Sequence, residues 1–295
     1  MAGWQMKALG AFFRVAYKRR YATTAAGHER LSQPKKPYDP PASVASGRSV
    51  ERREVGGHPV VVVSPRSGTP KPDRAVVYLH GGAYVNQIVK QHWQLVAHLA
   101  DRAGCDVHVP IYPLAPEHTA AEAMTFVQAV LGDLAAEDHQ LHLVGDSSGG
   151  GLALLAAQQV REQTRPAVVG VTAIAPWLDM AMANPDIPAV EAVDPWLTRA
   201  GLRPIADAWV GDVPLDDPRV SPIHGPVDTL PPVGLWIGTR DITMPDCRAL
   251  RDRLPGSNLT YVELEGGLHV YPLLPVPEGR RARDHIAQYV AQSFG

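Results

Sequence analysis

Ser147 lies at the centre of a glycine-bracketed turn that could present a nucleophile. The turn has the pattern G-x-S-x-G at 145–149; an apolar stretch at 140–144 precedes it and a proline-free apolar stretch at 152–157 follows it. A strand, tight turn and helix of this kind expose a serine hydroxyl at the carboxyl end of the strand. The alternative is a glycine-rich turn that binds phosphate or only packs closely, but the turn lacks both the phosphate-binding lysine and the G-x-G-x-x-G spacing.

A serine hydroxyl is a weak nucleophile at neutral pH, so this turn predicts a histidine base and an acid that orients it. Asp241 and His269 each follow an apolar, strand-like stretch downstream of the serine. The order serine, acid, histidine is that of the α/β-hydrolase fold. The competing acids Asp246 and Asp252 are expected on the next helix, and the competing base His285 in a polar terminal helix. We therefore predict Asp241 and His269 as the acid and the base.

The stretch 75–79 is a second strand-like element, and it runs directly into His80, Gly81 and Gly82. Glycine N–H groups can approach a carbonyl oxygen of a substrate with no side chain in the way. We predict that the N–H groups of Gly81, Gly82 and Ser148 form an oxyanion hole. His80 itself is predicted to order the loop by hydrogen bonding.

Four motifs together resemble the hormone-sensitive-lipase family of α/β-hydrolases, a set of esterases and lipases. G-D-S-S-G-G at 145–150 is similar to the family's G-D-S-A-G-G, and H-G-G-A at 80–83 is similar to its H-G-G-G. Y-P-L-A-P-E at 112–117 and D-P-R-V-S-P at 217–222 are close to its Y-R-L-A-P-E and D-P-x-x-S-P. The matches extend over about residues 75–270, most of the chain.

The resemblance implies an α/β fold with a mostly parallel eight-stranded sheet, helices on both faces and a helical cap. It implies N-terminal cap helices within 1–48, and a catalytic domain in 49–295 with a cap insertion at about 178–212. The prolines at 34, 37, 40 and 41 predict that 31–48 forms an extended linker from the cap to the sheet. Three departures leave the predicted catalytic groups in place. Ala83 replaces a glycine, Pro113 replaces an arginine, and a serine follows the nucleophile where the family has alanine.

These residues predict a serine carboxylic-ester hydrolase that acts on short- to medium-chain acyl esters through Ser147, His269 and Asp241, with an acyl-enzyme intermediate. An amidase or aryl-acylamide deacylase would use the same triad. A non-catalytic small-molecule receptor on this fold is a further alternative, although such receptors typically lose the base. No cofactor is predicted and no substrate-binding residue is assigned. Residues between 175 and 233 that could contact an acyl or aromatic group are Trp177, Trp196, Leu197 and Trp209, although tryptophans in short helices as often only pack within a cap.

Composition limits the partners. The chain has 295 residues and a net charge of −2, and neither a basic domain nor a nucleic-acid motif occurs, which argues against nucleic acid as a partner. Its two cysteines, Cys105 and Cys247, form neither a disulfide framework nor a zinc site. We therefore expect no metal, a cytoplasmic location and a small-molecule ester as substrate. A homodimer is left open.

The amino-terminal segment is basic, because residues 1–54 hold 11 Lys and Arg against 4 Asp and Glu, a local charge of +7. Apolar and basic residues at helical spacing in 6–20 could lie on an anionic membrane surface. Helical amphipathicity more often indicates packing, so we favour a cap helix in which Phe12, Phe13 and Val15 line the entrance of an acyl pocket. The sequence has no stretch of 18 apolar residues that would span a bilayer.

Overall fold

The computed structural model of the protein describes residues 1–160 and 162–295. Within them, eight strands form one sheet in the order β1-β2-β4-β3-β5-β6-β7-β8. The strands are β1 Val50–Val55, β2 His58–Val63, β3 Arg74–Leu79, β4 Asp106–Pro110, β5 Gln140–Asp146, β6 Val168–Ile174, β7 Val233–Arg240 and β8 Leu259–Leu268.

The sheet is mostly parallel, as predicted. β2 pairs antiparallel with β1 and β4, and all pairs from β4 to β8 are parallel. Side chains along β3, β5 and β7 are buried on both faces almost throughout, which is typical of a parallel sheet covered by helices on both sides. Because parallel strands end at the same edge, the ends of β3, β5 and β7 bring their following loops together.

Helices cover both faces of the sheet. α4 and α10 pack against each other, and α5 and α6 against each other. In the described part of the chain, no helix is both long and apolar enough to cross a membrane. The helices are α1 Trp4–Ala16, α2 Thr24–Ser32, α3 Ala42–Ala45, α4 Lys90–Ala103, α5 Ala120–Ala136, α6 Ser148–Gln158, α7 Ile187–Glu191, α8 Arg199–Val210, α9 Met244–Arg253 and α10 Pro277–Gln292.

The amino-terminal helix α2 packs closely on α8, a helix of the segment between β6 and β7. At their contact a Cβ on Gly27 would lie 2.3 Å from the carbonyl oxygen of Gly201, so the two backbones meet where neither residue has a side chain. Thr198 accepts a hydrogen bond from Gly201 N–H at 3.2 Å and donates one to the carbonyl of Tyr21. The chain from α2 to β1, predicted as an extended linker, contains the short helix α3.

Candidate active site

Ser147 occupies a strained turn between β5 and α6, with φ 52° and ψ −121°. A non-glycine residue adopts positive φ only where the surrounding structure enforces it. Two glycines allow neighbouring backbone segments to come close at this turn. A Cβ on Gly145 would lie 2.1 Å from the carbonyl oxygen of Gly149, and a Cβ on Gly149 would lie 2.0 Å from the carbonyl oxygen of Leu79. The turn therefore projects the Ser147 side chain at the carboxyl edge of the sheet.

The structure brings the predicted serine, histidine and acid together at this edge. Ser147 Oγ lies 2.9 Å from His269 Nε2, and His269 Nδ1 lies 2.8 Å from Asp241 Oδ2. Asp241 is fully buried at the end of β7, and its Oδ1 accepts hydrogen bonds from the N–H and hydroxyl of Thr243, both at 3.0 Å. The three side chains form a continuous hydrogen-bonded series that can remove a proton from the serine.

The electrostatic environment of His269 favours its use as a base near neutral pH. Burial opposes protonation of the imidazole, but the charge and hydrogen bond of Asp241 outweigh burial and raise the pKa of His269 above its ordinary value. The nearby Asp194 and Asp146 act in the same direction. An imidazolium formed when the serine attacks would be stabilised by the same carboxylate.

The competing residues lie elsewhere. Asp246 is buried on α9, where burial raises its pKa to about 7. Asp252 forms an exposed ion pair with Arg251 at 2.8 Å, and His285 is exposed on α10. None of these candidates has a hydrogen bond to the serine or the histidine within the described residues.

One predicted oxyanion donor requires correction. Gly81 N–H donates a buried hydrogen bond to Asp146 Oδ1 at 3.0 Å, so this N–H is not available to a substrate. Gly82 and Ala83 line the cavity beside Ser147, with positive φ of 137° and 53°. Their N–H groups, and that of Ser148 in the first turn of α6, donate no hydrogen bond within residues 1–160 and 162–295. Sequence reasoning missed Ala83, because the spacing of the glycines does not reveal which N–H is already in use.

Asp146 fixes this loop against the sheet. Besides Gly81 N–H it accepts a hydrogen bond from Tyr78 Oη at 2.6 Å and lies 3.3 Å from His92 Nε2. Burial opposes ionisation of Asp146, but His92 and the two hydrogen bonds outweigh it and lower the pKa of the carboxyl. No sequence signal pointed to His92, whose Nδ1 accepts a hydrogen bond from Val89 N–H at 3.0 Å.

His80 orders the same loop. Its ring stacks on Tyr112 at 4.5 Å between centroids, and its Nδ1 lies 2.8 Å from the Gly81 carbonyl oxygen. Tyr112, the first residue of the Y-P-L-A-P-E motif, donates a hydrogen bond to the His80 carbonyl at 2.5 Å. Burial lowers the pKa of His80 to about 4, so the ring is neutral at physiological pH.

A second buried carboxylate, Asp194, lies close to the triad, and sequence reasoning missed it. Its Oδ1 accepts hydrogen bonds from the N–H groups of Trp196 and Leu197 at 2.7 and 3.0 Å, and its Oδ2 accepts one from Ile242 N–H at 2.9 Å. Burial and the charge of Asp241 raise the pKa of Asp194. Asp194 thus joins the segment before α8 to the residue that follows the predicted acid.

Ser147 and His269 open into a cavity of about 970 Å³. Its apolar wall combines residues from the amino terminus, the segment before α8 and the loop after β8. The side chain of Trp196 meets the His269 ring edge-on at 5.6 Å. The wall is formed mainly by Leu9, Phe13, Tyr17, Trp196, Leu197, Val270, Leu273 and Leu274.

Only part of the predicted apolar lining is found. Phe12 and Val15 are 54% and 79% exposed and lie outside the cavity, which Phe13 lines. The side chains of Trp177 and Trp209 are buried outside the cavity, where they stack near Tyr84. The ring of Tyr84 lies 4.0 Å from that of Trp209 and nearly parallel to it.

The structure offers no obvious metal site in its described ranges, where no group of three or more His, Cys, Asp or Glu side chains could hold an ion. Cys105 and Cys247 are free and buried. Burial raises the pKa of both thiols above its ordinary value, which keeps them protonated.

Known proteins share the fold and about a third of the aligned residues. The model of a family described as having the alpha/beta hydrolase fold matches residues 76–273. The chain is 30% identical to an acetyl-hydrolase of Streptomyces hygroscopicus over 231 residues, 75% of this chain and 77% of that protein. LipR of Mycobacterium tuberculosis, named as an acetyl-hydrolase, is 33% identical over 283 residues, 86% of each chain. A solved esterase of the bacterial hormone-sensitive lipase family has a TM-score of 0.81 at 24% identity over 100% of both chains, which shows the shared fold.

Proposed function

The chain belongs to the α/β-hydrolase fold family, with the esterases and lipases of its hormone-sensitive-lipase branch, and from that premise we propose that it hydrolyses carboxylic esters of short to medium acyl chains. The observation that carries the proposal is the hydrogen-bonded series from Ser147 through His269 to Asp241 at the floor of the cavity. Since the serine is within 2.9 Å of a buried histidine, it can be deprotonated as it attacks.

In the first step His269 Nε2 takes the hydroxyl proton as Ser147 Oγ attacks the ester carbonyl carbon. Asp241 holds Nδ1–H and stabilises the imidazolium that forms. His269 then gives the proton to the leaving alcohol oxygen, and the carbon–oxygen bond breaks to leave an acyl-enzyme. Water repeats the attack in the second step, with His269 as base, and releases the acid and the serine.

The oxyanion of each tetrahedral intermediate is proposed to accept hydrogen bonds from the N–H groups of Gly82, Ala83 and Ser148. These groups have no acceptor within the described chain, and Gly82 and Ala83 line the cavity next to Ser147. The network around Asp146 keeps the loop in place without using these donors. Removal of one such donor typically costs 10² to 10³ in turnover.

We propose that α1, α2 and the insertion at about 178–212 form the cap that closes the acyl pocket. Phe13 lines the cavity from α1 and Trp196 lines it from the insertion, and their rings meet edge-on at 4.9 Å. This aromatic contact limits the space above the serine, which favours short and medium chains over long ones. The cytoplasmic location stays a prediction, and a homodimer is left open.

The test is hydrolysis of 4-nitrophenyl esters from acetate to palmitate by the wild type and Ser147→Ala, with labelling by a fluorophosphonate probe. We expect wild-type turnover to decline as the acyl chain lengthens. Ser147→Ala should lose both turnover and labelling by the probe. An intact rate in Ser147→Ala would overturn the mechanism. Faster turnover of a matched 4-nitroanilide than of the ester would instead identify an amidase.

A further inference from the structure

We propose that the amino-terminal side of the cavity binds an anionic group, a carboxylate or a phosphate, carried by the ester substrate. The inference rests on the proposed hydrolase function and specifies its substrate class. The cationic residues on this side, called the basic wall below, come from the segment between α1 and α3. They are Arg19, Arg20, Arg30, Lys35 and Lys36.

The basic wall has too few carboxylates to neutralise it. Among the described residues that line the cavity, the carboxylates are Glu29 and Asp146. Asp146 is occupied by its own hydrogen bonds to the sheet and the glycine loop. The cavity therefore has a net positive charge although the chain as a whole has a net charge of −2. Such a concentration of one sign in a cleft focuses the electric field on a ligand of opposite charge.

Arg30 gives the strongest indication that this side of the cavity binds an anion. Its guanidinium donates hydrogen bonds to the side-chain oxygens of Gln33 and Asn86, both neutral amides. Its Nε is buried and has no partner in the described part of the chain. A partly buried guanidinium without a carboxylate is costly unless another anion compensates it. An anionic substrate group beside Arg30 would supply that charge.

Lys35 reinforces the positive charge beside Arg30. Its Nζ donates to the carbonyl oxygen of Ala115 at 2.5 Å, and the nearest carboxylate, Glu117, is 3.5 Å away with a side chain 61% exposed. Burial and the charge of Arg30 lower the pKa of Lys35, and Glu117 only partly opposes them. An anionic substrate group at this position would be bound by both Arg30 and Lys35.

An anionic bilayer is the other surface that could attract these cations. The exposed apolar side chains of α1, Phe12 and Val15, lie outside the cavity, whereas the basic wall lines the same cavity as Ser147 and His269. A group bound at the basic wall would therefore lie in the same cavity as the Ser147 hydroxyl. This arrangement favours a small anionic ester over a membrane as the ligand.

Two pairs of esters test the proposal and locate the anion. On the acyl side, mono-4-nitrophenyl glutarate is compared with 4-nitrophenyl valerate. On the alcohol side, 4-(butyryloxy)benzoate is compared with its methyl ester. We expect Arg30→Gln to lower the ratio of kcat/KM for the anionic over the neutral ester about tenfold in one pair. Arg30→Lys, which keeps the charge, should retain most of the ratio.

Arg19→Gln/Lys36→Gln is a second variant that leaves the hydrogen bonds of Arg30 intact, and it should lower the ratio in the same pair. Lys7→Gln is the matched control, because Lys7 is an exposed cation of the same amino-terminal segment that does not line the cavity. It should leave the ratio unchanged. Added NaCl should lower the wild-type ratio by screening.

An unchanged ratio in both ester pairs for both wall variants would overturn the anion site. Loss of binding to phosphatidylglycerol vesicles by Arg19→Gln/Lys36→Gln, with the ratio unchanged, would also overturn it and assign the wall to a membrane surface. The two proposals fail separately. Wild type that hydrolyses neither member of either ester pair contradicts the hydrolase function, whereas hydrolysis with an unaffected ratio contradicts only the anion site.

Discussion

His269 lies between the Ser147 hydroxyl, which loses its proton in the proposed mechanism, and the Asp241 carboxylate, which orients the ring. Asp241 accepts from Nδ1 at 2.8 Å and leaves Nε2 facing Ser147. Because the carboxylate is fully buried and also bonded to Thr243, its position is fixed before substrate arrives. Preorganisation of this kind lets the charge of Asp241 act on His269 without reorganisation at the moment of reaction.

Asp241→Asn should lower kcat about 10⁴-fold, because an amide can hold the ring in the wrong tautomer and cannot stabilise the imidazolium. It should also move the acid limb of the pH profile. His269 must be neutral to act as base, so activity is lost as pH falls through its pKa. Asp241 raises that pKa, and its removal should shift the midpoint of kcat/KM to lower pH. A midpoint that stays in place while kcat falls would contradict this assignment.

The sequence predicted the three residues that the structure brings within hydrogen-bonding distance, since each follows a strand whose apolar pattern is clear. It was not sufficient for the oxyanion loop. Gly81 and Gly82 are equivalent in the motif, and only the contact of Gly81 N–H with Asp146 separates them. Ala83 has a φ of 53° that an alanine seldom adopts, so its residue type gave no indication of its conformation.

At the scale of elements, Asp194 couples the insertion to the loop after β7. It accepts hydrogen bonds from backbone N–H groups of both segments, and its charge raises the pKa of His269. Asp194→Asn replaces one carboxylate oxygen with an NH₂ group that faces a backbone N–H donor. Because the backbone hydrogen bond at that position is lost, we expect kcat to fall about tenfold. The acid limb of kcat/KM should move to lower pH as well, since a neighbouring negative charge is lost.

A matched control for this variant is Glu191→Gln, which removes another carboxylate of the insertion. Glu191 accepts hydrogen bonds from Arg199 N–H and Nε at 2.7 and 2.9 Å and, among the described residues, has none with Ile242 or the triad. Its loss should leave the midpoint of the acid limb unchanged. Equal effects of the two variants on that midpoint would show that Asp194 has only a general structural role.

The turn between β5 and α6 depends on the absence of side chains, which a pair of glycine variants can test. Gly149→Ala places a methyl group 2.0 Å from the Leu79 carbonyl oxygen, so it should destabilise the fold by several kcal/mol or prevent folding. Gly132→Ala, in the interior of α5 with nothing within 4 Å of the added Cβ, should stabilise by about 1 kcal/mol. Urea denaturation of both variants measures the contrast; similar losses of stability would contradict the close approach at the turn.

Strands β3, β5, β7 and β8 were predictable from their apolar stretches, whereas β1, with the sequence V-E-R-R-E-V, and the arrangement of the insertion were not. The helix α8 contains Pro204 and its packing on α2 depends on Gly27 and Gly201, positions that look unremarkable in the sequence. Contacts between segments some 170 residues apart leave no local pattern. For the same reason the sequence did not show that Phe12 is exposed to solvent while its neighbour Phe13 lines the cavity.

For the molecule as a whole, acid stability depends on histidines that fold in the neutral form. Burial lowers the pKa of His80 to about 4 and that of His108 and His142 to about 3. As pH falls below about 6.5, the unfolded chain takes up protons at these sites while the folded chain does not. Each of them therefore lowers the free energy of unfolding as the solution is acidified.

His142 on β5 isolates this effect, because its ring has no charged hydrogen-bond partner among the described residues. Its Nδ1 lies 2.6 Å from Ser293 Oγ, and its Nε2 lies 2.9 Å from Thr172 Oγ1. His142→Leu loses these bonds at every pH but also removes the acid-labile site. Its destabilisation relative to wild type should thus be about 2 kcal/mol smaller at pH 5 than at pH 7.5, measured by urea denaturation. Val144→Ala on the same strand has no ionisable group to lose, so its destabilisation should be equal at the two pH values. If His142→Leu behaves like Val144→Ala, the folded histidine takes up its proton as readily as the unfolded one, and burial does not make the sheet acid-sensitive.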